Sequence, residues 1–312
     1  MRESRNGSGR ACDISEIRAP LMHPLRSLLF APGNHPRKVA KVFAAGADAV
    51  ILDLEDAVAI AEKAATRAAI VAALTTERHC RAFIRVNAMT TTFCHGDLAA
   101  IVVPGLDGIV LPKVEAPWQL KAADWLIGAL ERERGLPQGA IDLIPIIETG
   151  AGVAAVREIA ASGTRVRRLA FGAGDYSVDM NLPWTRDEAE MGHARATIAV
   201  ASRAAGLAPP LDTVFTDLRD REGFAASARR ALGMGYQGKM CIHPDQVSIA
   251  NDVFTPSAAE VARAQAVVAA FAAAEAAGSA SIQLDGQFID YPIVERARRV
   301  LATMARITAA NG

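Results

Sequence analysis

The sequence predicts an α/β protein that closes into a (β/α)8 barrel, the TIM barrel, followed by a C-terminal helical arm. Within its 312 residues, eight short apolar runs of β type alternate with alanine-rich segments of helical spacing, and charged residues follow most of the runs. Strands that alternate with helices form a parallel sheet, and near-continuous apolar strands are typical of a sheet buried on both faces. One barrel of about 250 residues fits this length.

The predicted strands are four to six residues long and are separated by longer helical segments. They cover residues 27–31, 49–54, 82–86, 108–111, 143–147, 168–171, 213–216 and 239–242. The predicted helices cover residues 37–45, 57–74, 118–134, 151–161, 188–205 and 222–232. A doubly wound open sheet, the main alternative, usually has a glycine-rich phosphate-binding turn after its first strand. Residues 32–36 read PGNHP and match no such turn, which favours the closed barrel.

The chain divides into three predicted segments. They are a flexible tail (1–24), the catalytic barrel (25–255) and a C-terminal helical extension or lid (256–312). In the extension we expect a helix over 256–277 that Gly278 ends, a polar hairpin-like loop over 283–292, and a last helix over 293–307. The extension is too small for an independent catalytic domain, so we expect a lid or a subunit-contact arm.

Charge and apolar patterning exclude several classes of partner. Lys+Arg and Asp+Glu both number 34, so no broad attraction to nucleic acid or to an anionic membrane is expected. The four cysteines are scattered, which predicts neither a zinc site nor a disulfide framework and favours the cytoplasm. Residues 1–22 show no secretory signal, and the apolar stretch 264–274 is far shorter than the roughly 20 residues of a membrane span.

Charged residues follow six of the eight predicted strands, at the end of the barrel where such folds carry their chemistry. They are Asp53, Glu55 and Asp56 after strand two, Arg85 after strand three, Lys113 and Glu115 after strand four, Glu148 after strand five, Asp175 after strand six, and His243 and Asp245 after strand eight.

Two of these carboxylates suggest a metal site. Glu148 and Asp175 end adjacent strands, so they can converge, and two carboxylates with water in the remaining positions suit Mg²⁺; Mn²⁺ also fits. Zinc is disfavoured because His243 alone among these residues offers nitrogen, and its place before Pro244 is that of a helix-entry residue. The alternative is that Glu148 and Asp175 cap the helices that follow them.

The remaining strand-end residues have catalytic and structural interpretations. Arg85 can clamp a carboxylate or an oxyanion, or form an ion pair with Glu55 or Asp56. Asp53, Glu55 and Asp56 can orient metal-bound water or Arg85. Lys113 can form a Schiff base, but the acidic surroundings favour a charged lysine in an ion pair. For a phosphate group, the candidates on or near the first two βα units are Arg26, Lys38, Lys41, Lys63 and Arg67, and the alternative for each is a solvated helix face.

A set of motifs extends in order from Arg26 to Leu301. They are RSLLFAPGN at 26–34, GADAVILDLEDAV at 46–58, Lys63 with Arg67, RVN at 85–87, LPK at 111–113, IET at 147–149, Asp175-Tyr176, Gly238-Lys239, IHP at 242–244 and GQFIDYP at 286–292. Together they resemble the citrate lyase beta-subunit-like family of the HpcH/HpaI aldolase superfamily.

The resemblance implies a (β/α)8 barrel that binds Mg²⁺, cleaves acyl-CoA thioesters and commonly forms a trimer. It implies Glu148 and Asp175 as metal ligands and Arg85 as a catalytic contact to substrate oxygens. It also implies that Asp290, on the arm of a neighbouring subunit, is the acid/base group. With it we expect substrate contacts from Arg85, Glu55, Asp56 and Gly174, and coenzyme A contacts from Arg26, Lys38, Lys63 and Arg67.

Two departures from the family pattern lie beside the metal ligands. The chain has Gly150-Ala151 where the family often has Ala-Arg, and Gly174 where it often has Glu. Both bear on which keto acid is held. The predicted reaction is cleavage of a malyl-, citramalyl- or citryl-CoA-like thioester to an acyl-CoA and an α-keto acid, or the reverse. The alternatives are the beta subunit of a multi-chain citrate lyase acting on a carrier-bound thioester, an aldolase for free hydroxy-keto acids, and a non-catalytic relative.

Overall fold

A computed structural model describes residues 24–311, so almost all of the predicted tail lies outside the described residues. Eight parallel strands form a closed barrel in which each strand pairs with its neighbours in sequence and β1 pairs with β8. The strands are β1 (Ser27–Pro32), β2 (Ala49–Asp53), β3 (Arg81–Arg85), β4 (Gly108–Leu111), β5 (Asp142–Ile147), β6 (Ala170–Phe171), β7 (Leu211–Asp212) and β8 (Gly238–Cys241). The predicted (β/α)8 barrel is confirmed.

Helices connect the strands and cover the outside of the barrel. They are α1 (Pro36–Val42), α2 (Lys63–Ala73), α3 (Cys94–Ile101), α4 (Pro117–Glu133), α5 (Gly150–Ala154), α6 (Val156–Ala160), α7 (Ala173–Asp179), α8 (Gly192–Ala204), α9 (Arg221–Gly233) and α10 (Pro244–Val253). No helix in the described part of the chain is both long and apolar enough to cross a membrane.

Alternation along the strands decides which side chains enter the barrel. A buried cluster that includes Leu28, Ile51, Phe83 and Ile146 fills the interior, whereas their sequence neighbours pack in a larger cluster against the helices. Side chains two positions further along the same strands therefore point inward at the carboxyl end of the barrel. These positions hold Phe30 in β1 and the charged residues Asp53, Arg85 and Glu148 in or after β2, β3 and β5, and they contribute to the site described below.

The seventh strand differs from the prediction. Residues 213–216, with two threonines and a valine, were expected to form it, but β7 is Leu211–Asp212, directly after two prolines. Asp212 can lie in a buried strand because its carboxylate pairs with Arg195 and Lys239. Thr213 has already left the sheet, and its hydroxyl accepts a hydrogen bond from the Ala173 N–H. The predicted helix 151–161 is likewise two short helices, α5 and α6.

The residues after Pro256 belong to a second compact unit. It consists of α11 (Ala258–Ala276), a hairpin of β9 (Ile282–Leu284) and β10 (Gln287–Ile289), and α12 (Tyr291–Asn311). Ser257 and Glu260 form a capping box that begins α11, as the serine hydroxyl accepts the Glu260 N–H. Asp285 and Gly286 both have positive φ, as a two-residue hairpin turn requires. The predicted hairpin-like loop is confirmed, and the last helix begins two residues earlier than expected.

Candidate active site

Three inward-pointing side chains at the carboxyl ends of β2, β3 and β5 form the base of the site. Asp53 ends β2 and Arg85 ends β3, and the two residues are paired in the strand register. Glu148 follows β5, two residues after the interior residue Ile146. Asp175 joins them from the first turn of α7, directly after β6. The sheet thus brings together residues that lie far apart in sequence.

Arg85 is held on several sides by acidic groups. Its Nε and Nη2 donate to the two carboxylate oxygens of Asp53 at 2.7 and 2.6 Å, and its Nη1 lies 3.0 Å from Glu55 and 3.5 Å from Asp56. The guanidinium carbon lies 4.9 Å from the centre of the Phe30 ring. The predicted ion pair with Glu55 or Asp56 is present, but Asp53 is the principal partner.

Asp53 and Arg85 each stabilise the charged form of the other. Burial raises the pKa of Asp53, but Arg85 and the N–H groups of Glu55 and Ala57 lower it, so the net pKa lies below the ordinary aspartate value. Burial lowers the pKa of Arg85, but Asp53 and Glu55 raise it above the ordinary arginine value. Arg85 is therefore a permanent, fixed cation at the mouth of the barrel.

Lys113 connects the two candidate metal ligands. Its backbone N–H donates to Glu148 at 2.8 Å, and its ammonium lies 2.8 Å from Asp175 and 2.5 Å from Glu55. Burial lowers the pKa of Lys113, but hydrogen bonds to Asp175 and Glu55 raise it above the ordinary lysine value. The predicted ion pair of a charged lysine with acidic neighbours is therefore present.

Glu148 is the most perturbed carboxyl of the site. Burial raises the pKa of Glu148 to about 8, and the negative charges of Glu55 and Asp175 add to the effect. A Cβ atom on Gly172 would collide with the Glu148 carboxylate. Sequence reasoning missed both Gly172 and Phe30, although the first follows β6 and the second has the inward parity of β1.

The donor set fits a hard divalent cation. Five carboxylates, those of Asp53, Glu55, Asp56, Glu148 and Asp175, face only two cationic side chains, those of Arg85 and Lys113. A cation would offset this excess and the raised pKa of the buried Glu148. Over residues 24–311 no group of three or more His, Cys, Asp or Glu side chains is arranged so that it could hold a metal ion. Two carboxylates that leave positions for water and substrate oxygens are typical of Mg²⁺.

His243 has a structural role in the described residues. Its Nδ1 accepts a hydrogen bond from the Asp245 N–H at 3.2 Å and so caps α10, with Pro244 in the first turn. The prediction of a helix-entry residue is confirmed. The acidic cluster itself offers carboxylate oxygens, which agrees with the preference for Mg²⁺ over zinc.

A pocket lies beside the acidic cluster at the carboxyl ends of β1 and β8. Its volume is about 500 Å³, and its wall is mostly apolar, with Leu218 and Ile242 partly exposed at it. Lys38 and Lys41 of α1 supply positive charge to this wall, and Asp53 lies at its inner side. The pocket thus combines an apolar surface with two lysines, and Asp53 at its inner side is the partner of Arg85.

The four residues expected to bind coenzyme A do not come together. Arg26 precedes β1, at the opposite end of the barrel, where it is bound to Asp48 and Thr255. Lys63 is buried and donates to the carbonyl oxygens of Leu54 and Glu55. Arg67 pairs with Asp97 and donates to the Phe93 carbonyl. Three of these four cations are thus bound to protein groups, and the fourth, Lys38, lines the pocket.

Two further residues were expected at the site, Gly174 and Asp290. A Cβ atom on Gly174 would approach nothing closer than Trp184, at 3.8 Å. Asp290 belongs to the second unit, where its carboxylate accepts the Ile293 N–H at 3.3 Å as α12 begins. Phe288 and Tyr291 beside it are 66% and 52% exposed.

Comparisons with known proteins agree with this geometry. The sequence model of the HpcH/HpaI aldolase/citrate lyase family matches residues 26–244. Citrate lyase subunit beta from Leuconostoc mesenteroides subsp. cremoris is 39% identical over 278 residues, 88% of this chain and 92% of that protein. L-malyl-CoA/beta-methylmalyl-CoA lyase from Cereibacter sphaeroides is 36% identical over 313 residues, 93% of this chain and 98% of that protein.

A solved structure shares both fold and sequence with the chain. CitE from Mycobacterium tuberculosis, crystallised with magnesium, acetoacetate and coenzyme A, superposes with a TM-score of 0.73 at 31% identity. The match covers 91% of this chain and 98% of that one.

Proposed function

Because the chain belongs to the HpcH/HpaI aldolase/citrate lyase family, we propose that it is a Mg²⁺-dependent carbon–carbon lyase. It cleaves a β-hydroxyacyl-CoA of the malyl-, citramalyl- or citryl-CoA type to an acyl-CoA and an α-keto acid, or catalyses the reverse condensation. The observation that carries the proposal is the joining of Glu148 and Asp175 through Lys113, next to the fixed guanidinium of Arg85. The similarity to a malyl-CoA lyase and to CitE with magnesium and coenzyme A supports it.

Glu148 and Asp175 would hold the metal, and the excess of negative charge around them favours a divalent cation, Mg²⁺ or Mn²⁺. When bound, the metal would supply a Lewis acid and a template for the oxygens of the keto acid. Glu55 and Asp56, which contact Arg85 and Lys113, would orient the polar end of the substrate. Gly174 leaves free space beside Asp175 for this end.

Arg85 and an acid would supply the charge stabilisation and the proton. In the cleavage a base takes the proton of the β-hydroxyl, the carbon that bears this hydroxyl becomes the carbonyl of the keto acid, and the electron pair of the broken carbon–carbon bond remains as a thioester enolate. The cationic Arg85, already fixed by Asp53, would stabilise negative charge on oxygen. Asp290 is the proposed acid, which protonates the enolate carbon to complete the acyl-CoA.

The pocket beside the site would hold part of the coenzyme A. Its apolar wall suits the uncharged part of that molecule, and Lys38 and Lys41 would attract its phosphate groups. Coenzyme A binding is not proposed for Arg26, Lys63 and Arg67, because each of them is bound to protein groups in the structure. Lys63 instead fixes the backbone at Leu54 and Glu55.

We further propose that the protein acts in the cytoplasm as a homotrimer, in which Asp290 of one subunit completes the site of its neighbour. The exposed aromatic side chains of Phe288 and Tyr291 beside Asp290 support a contact surface there. Asp290→Ala mixed with Glu148→Ala is expected to regain activity once subunits exchange. No recovery after confirmed exchange would contradict a shared site.

The test of the proposed reaction uses purified protein, Mg²⁺ and a panel of malyl-, citramalyl-, methylmalyl- and citryl-CoA. Release of glyoxylate, pyruvate or oxaloacetate is measured, with EDTA and the Glu148→Ala variant as controls. We expect release of a keto acid from at least one thioester, abolished by both controls. Release that persists in EDTA and in the variant would contradict the metal site.

A second candidate is the beta subunit of a multi-chain citrate lyase, which acts on a thioester bound to a carrier protein. The 39% identity to a citrate lyase subunit beta favours it. Turnover of free coenzyme A esters by the purified chain separates the two functions. No turnover of any of the four esters, with Mg²⁺ binding intact, would favour the carrier-bound substrate.

A further inference from the structure

We propose that Lys113 is an internal placeholder cation: its ammonium holds Asp175 in the metal-free protein and moves off this carboxylate when a divalent cation binds. The inference rests on the proposed metal site at Glu148 and Asp175. It concerns what the chain itself does there before the metal arrives, and it assigns a role to a residue that the proposed reaction does not use.

Lys113 contacts both proposed ligands through different atoms. Its backbone N–H donates to Glu148 Oε1 at 2.8 Å, while its Nζ lies 2.8 Å from Asp175 Oδ2. The same Nζ lies 2.5 Å from Glu55 Oε1 and 3.7 Å from Asp56 Oδ1. The ammonium is therefore surrounded by carboxylate oxygens on several sides, in a position that also suits a metal ion.

The backbone at Lys113 indicates that its side chain is needed. The residue has a φ of +54°, in the left-handed region where glycine is the unstrained choice. A glycine here could still give its N–H to Glu148, but it could not reach Asp175. Non-glycine residues in this conformation cluster at functional sites, where the surroundings maintain the strain.

Of the two cations in the site, Arg85 and Lys113, Lys113 is the one that a metal ion can replace. Arg85 is bound to Asp53 by two hydrogen bonds and is fixed. The Lys113 side chain is 33% exposed and has a flexible stem, so its ammonium can move. A divalent cation bound to Asp175 would lie close to the ammonium, which is 2.8 Å from the same carboxylate, and the repulsion between the two positive charges favours movement of the ammonium away from Asp175. After the exchange Glu55 remains as the partner of the ammonium, since it lies closer to Nζ than Asp175 does.

The exchange predicts opposite effects in the two states of the protein. Without metal, the ammonium keeps the carboxylates of Glu55 and Asp175 from repelling each other, which stabilises the fold. With metal, the cation takes over this task and the ammonium becomes a competitor. Removal of the Lys113 charge should therefore weaken the metal-free protein, leave the loaded protein unaffected, and tighten metal binding.

The test compares wild type, Lys113→Met, Lys113→Gln and the control Lys121→Met, which removes an exposed lysine of α4. Melting temperatures are measured in EDTA and in saturating Mg²⁺, and Mg²⁺ affinity is measured by calorimetry. Methionine retains an unbranched chain, and glutamine provides a second neutral variant if the first fails to fold. We expect both Lys113 variants to melt earlier than wild type in EDTA only, and to bind Mg²⁺ about tenfold more tightly.

Four results would overturn the inference. Equal loss of melting temperature with and without Mg²⁺ would show an ordinary structural lysine. Tightening by Lys121→Met to the same extent would show a general effect of charge. Unchanged Mg²⁺ affinity in the Lys113 variants, while Glu148→Gln abolishes binding, would overturn the role of Lys113 and leave the metal site intact. Absence of Mg²⁺ binding by wild type would overturn the metal site itself.

Discussion

Arg85 and Asp53 lie opposite each other in the register of β3 and β2, and the guanidinium donates to both oxygens of the carboxylate. The pairing fixes the direction of a long side chain that would otherwise be flexible. Arg85 also contacts Glu55. Because Asp53 fixes the guanidinium, this carboxylate determines the orientation in which Arg85 faces the rest of the site. The two strands thereby act as a rigid support for one charged group.

The first prediction concerns this support. Asp53→Asn should retain the fold but lower kcat by about 100-fold, since displacement of a positioning contact by about 1 Å can have an effect of this size. Steady-state kinetics on the best thioester of the panel measure it. The control is Asp48→Asn, which alters a carboxylate that accepts two guanidinium hydrogen bonds from Arg26 at the opposite end of the barrel, and which should change kcat far less. Equal effects of the two variants would contradict a special role for Asp53.

The second prediction uses two glycines that flank Ala173. Gly172→Ala should weaken Mg²⁺ binding, because the added methyl group would collide with the Glu148 carboxylate and lie close to Ile146. Gly174→Ala should bind Mg²⁺ as wild type does, since the nearest atom lies 3.8 Å away. Calorimetric titration of both variants tests the contrast. Normal Mg²⁺ binding by Gly172→Ala would show that Glu148 can hold the metal from another position.

A third prediction concerns the buried ionic group around β7. Asp212 pairs with Lys239 at 2.6 Å and with Arg195 at 2.8 Å, and all three residues are fully buried. Asp212→Asn would leave two buried cations without this carboxylate and should lower the free energy of unfolding by about 3–5 kcal/mol. Urea unfolding measures the loss. The matched control is Asp220→Asn at an exposed ion pair with Arg186, where asparagine can still cap α9.

The effect at Asp212 should depend on pH. Burial raises the pKa of Asp212, but Lys239 and Arg195 lower it to a net value below the ordinary 3.8. A carboxyl whose pKa is depressed on folding stabilises the protein above its unfolded pKa and loses this contribution as pH falls through the folded pKa. The difference between wild type and Asp212→Asn should therefore be full at neutral pH and shrink only in strong acid. A difference that grows as pH falls would contradict the ion pair.

The fourth prediction concerns two free thiols of the barrel. Burial raises the pKa of Cys94 and Cys241 to about 12, with Asp97 adding to the effect at Cys94 and Lys239 opposing it at Cys241. Because the thiolate is the reactive form, alkylation of both in the native protein should stay slow between about pH 7 and 9. Mass spectrometry measures the labelling, with urea-unfolded protein as the control. Rapid native labelling of either thiol would contradict its burial.

The sequence could predict the barrel and the composition of its mouth, because both follow from local pattern. Near-continuous apolar runs between alanine-rich helices indicate parallel strands, and the residues after those runs must lie at one end of the barrel. Glu148, Asp175 and Arg85 were identified in this way, and the structure places them with Lys113 in one cluster.

The parts that the sequence could not predict depend on contacts between distant residues. β7 carries Asp212, which reads as a loop residue until its partners Arg195 and Lys239 are known. Arg26 and Lys38 look alike as basic residues near the first strand, yet β1 separates them to opposite ends of the barrel. The left-handed backbone of Lys113 likewise has no signal in the residue type.

The proposed reaction breaks a carbon–carbon bond and leaves the thioester intact. The most direct measurement follows both bonds at once in the presence of Mg²⁺, with the keto acid trapped as its phenylhydrazone and free thiol measured with a disulfide reagent. We expect keto acid and acyl-CoA in equal amounts, no free coenzyme A, and no reaction in EDTA. Release of free coenzyme A with an intact hydroxy acid would instead show thioester hydrolysis and contradict the lyase.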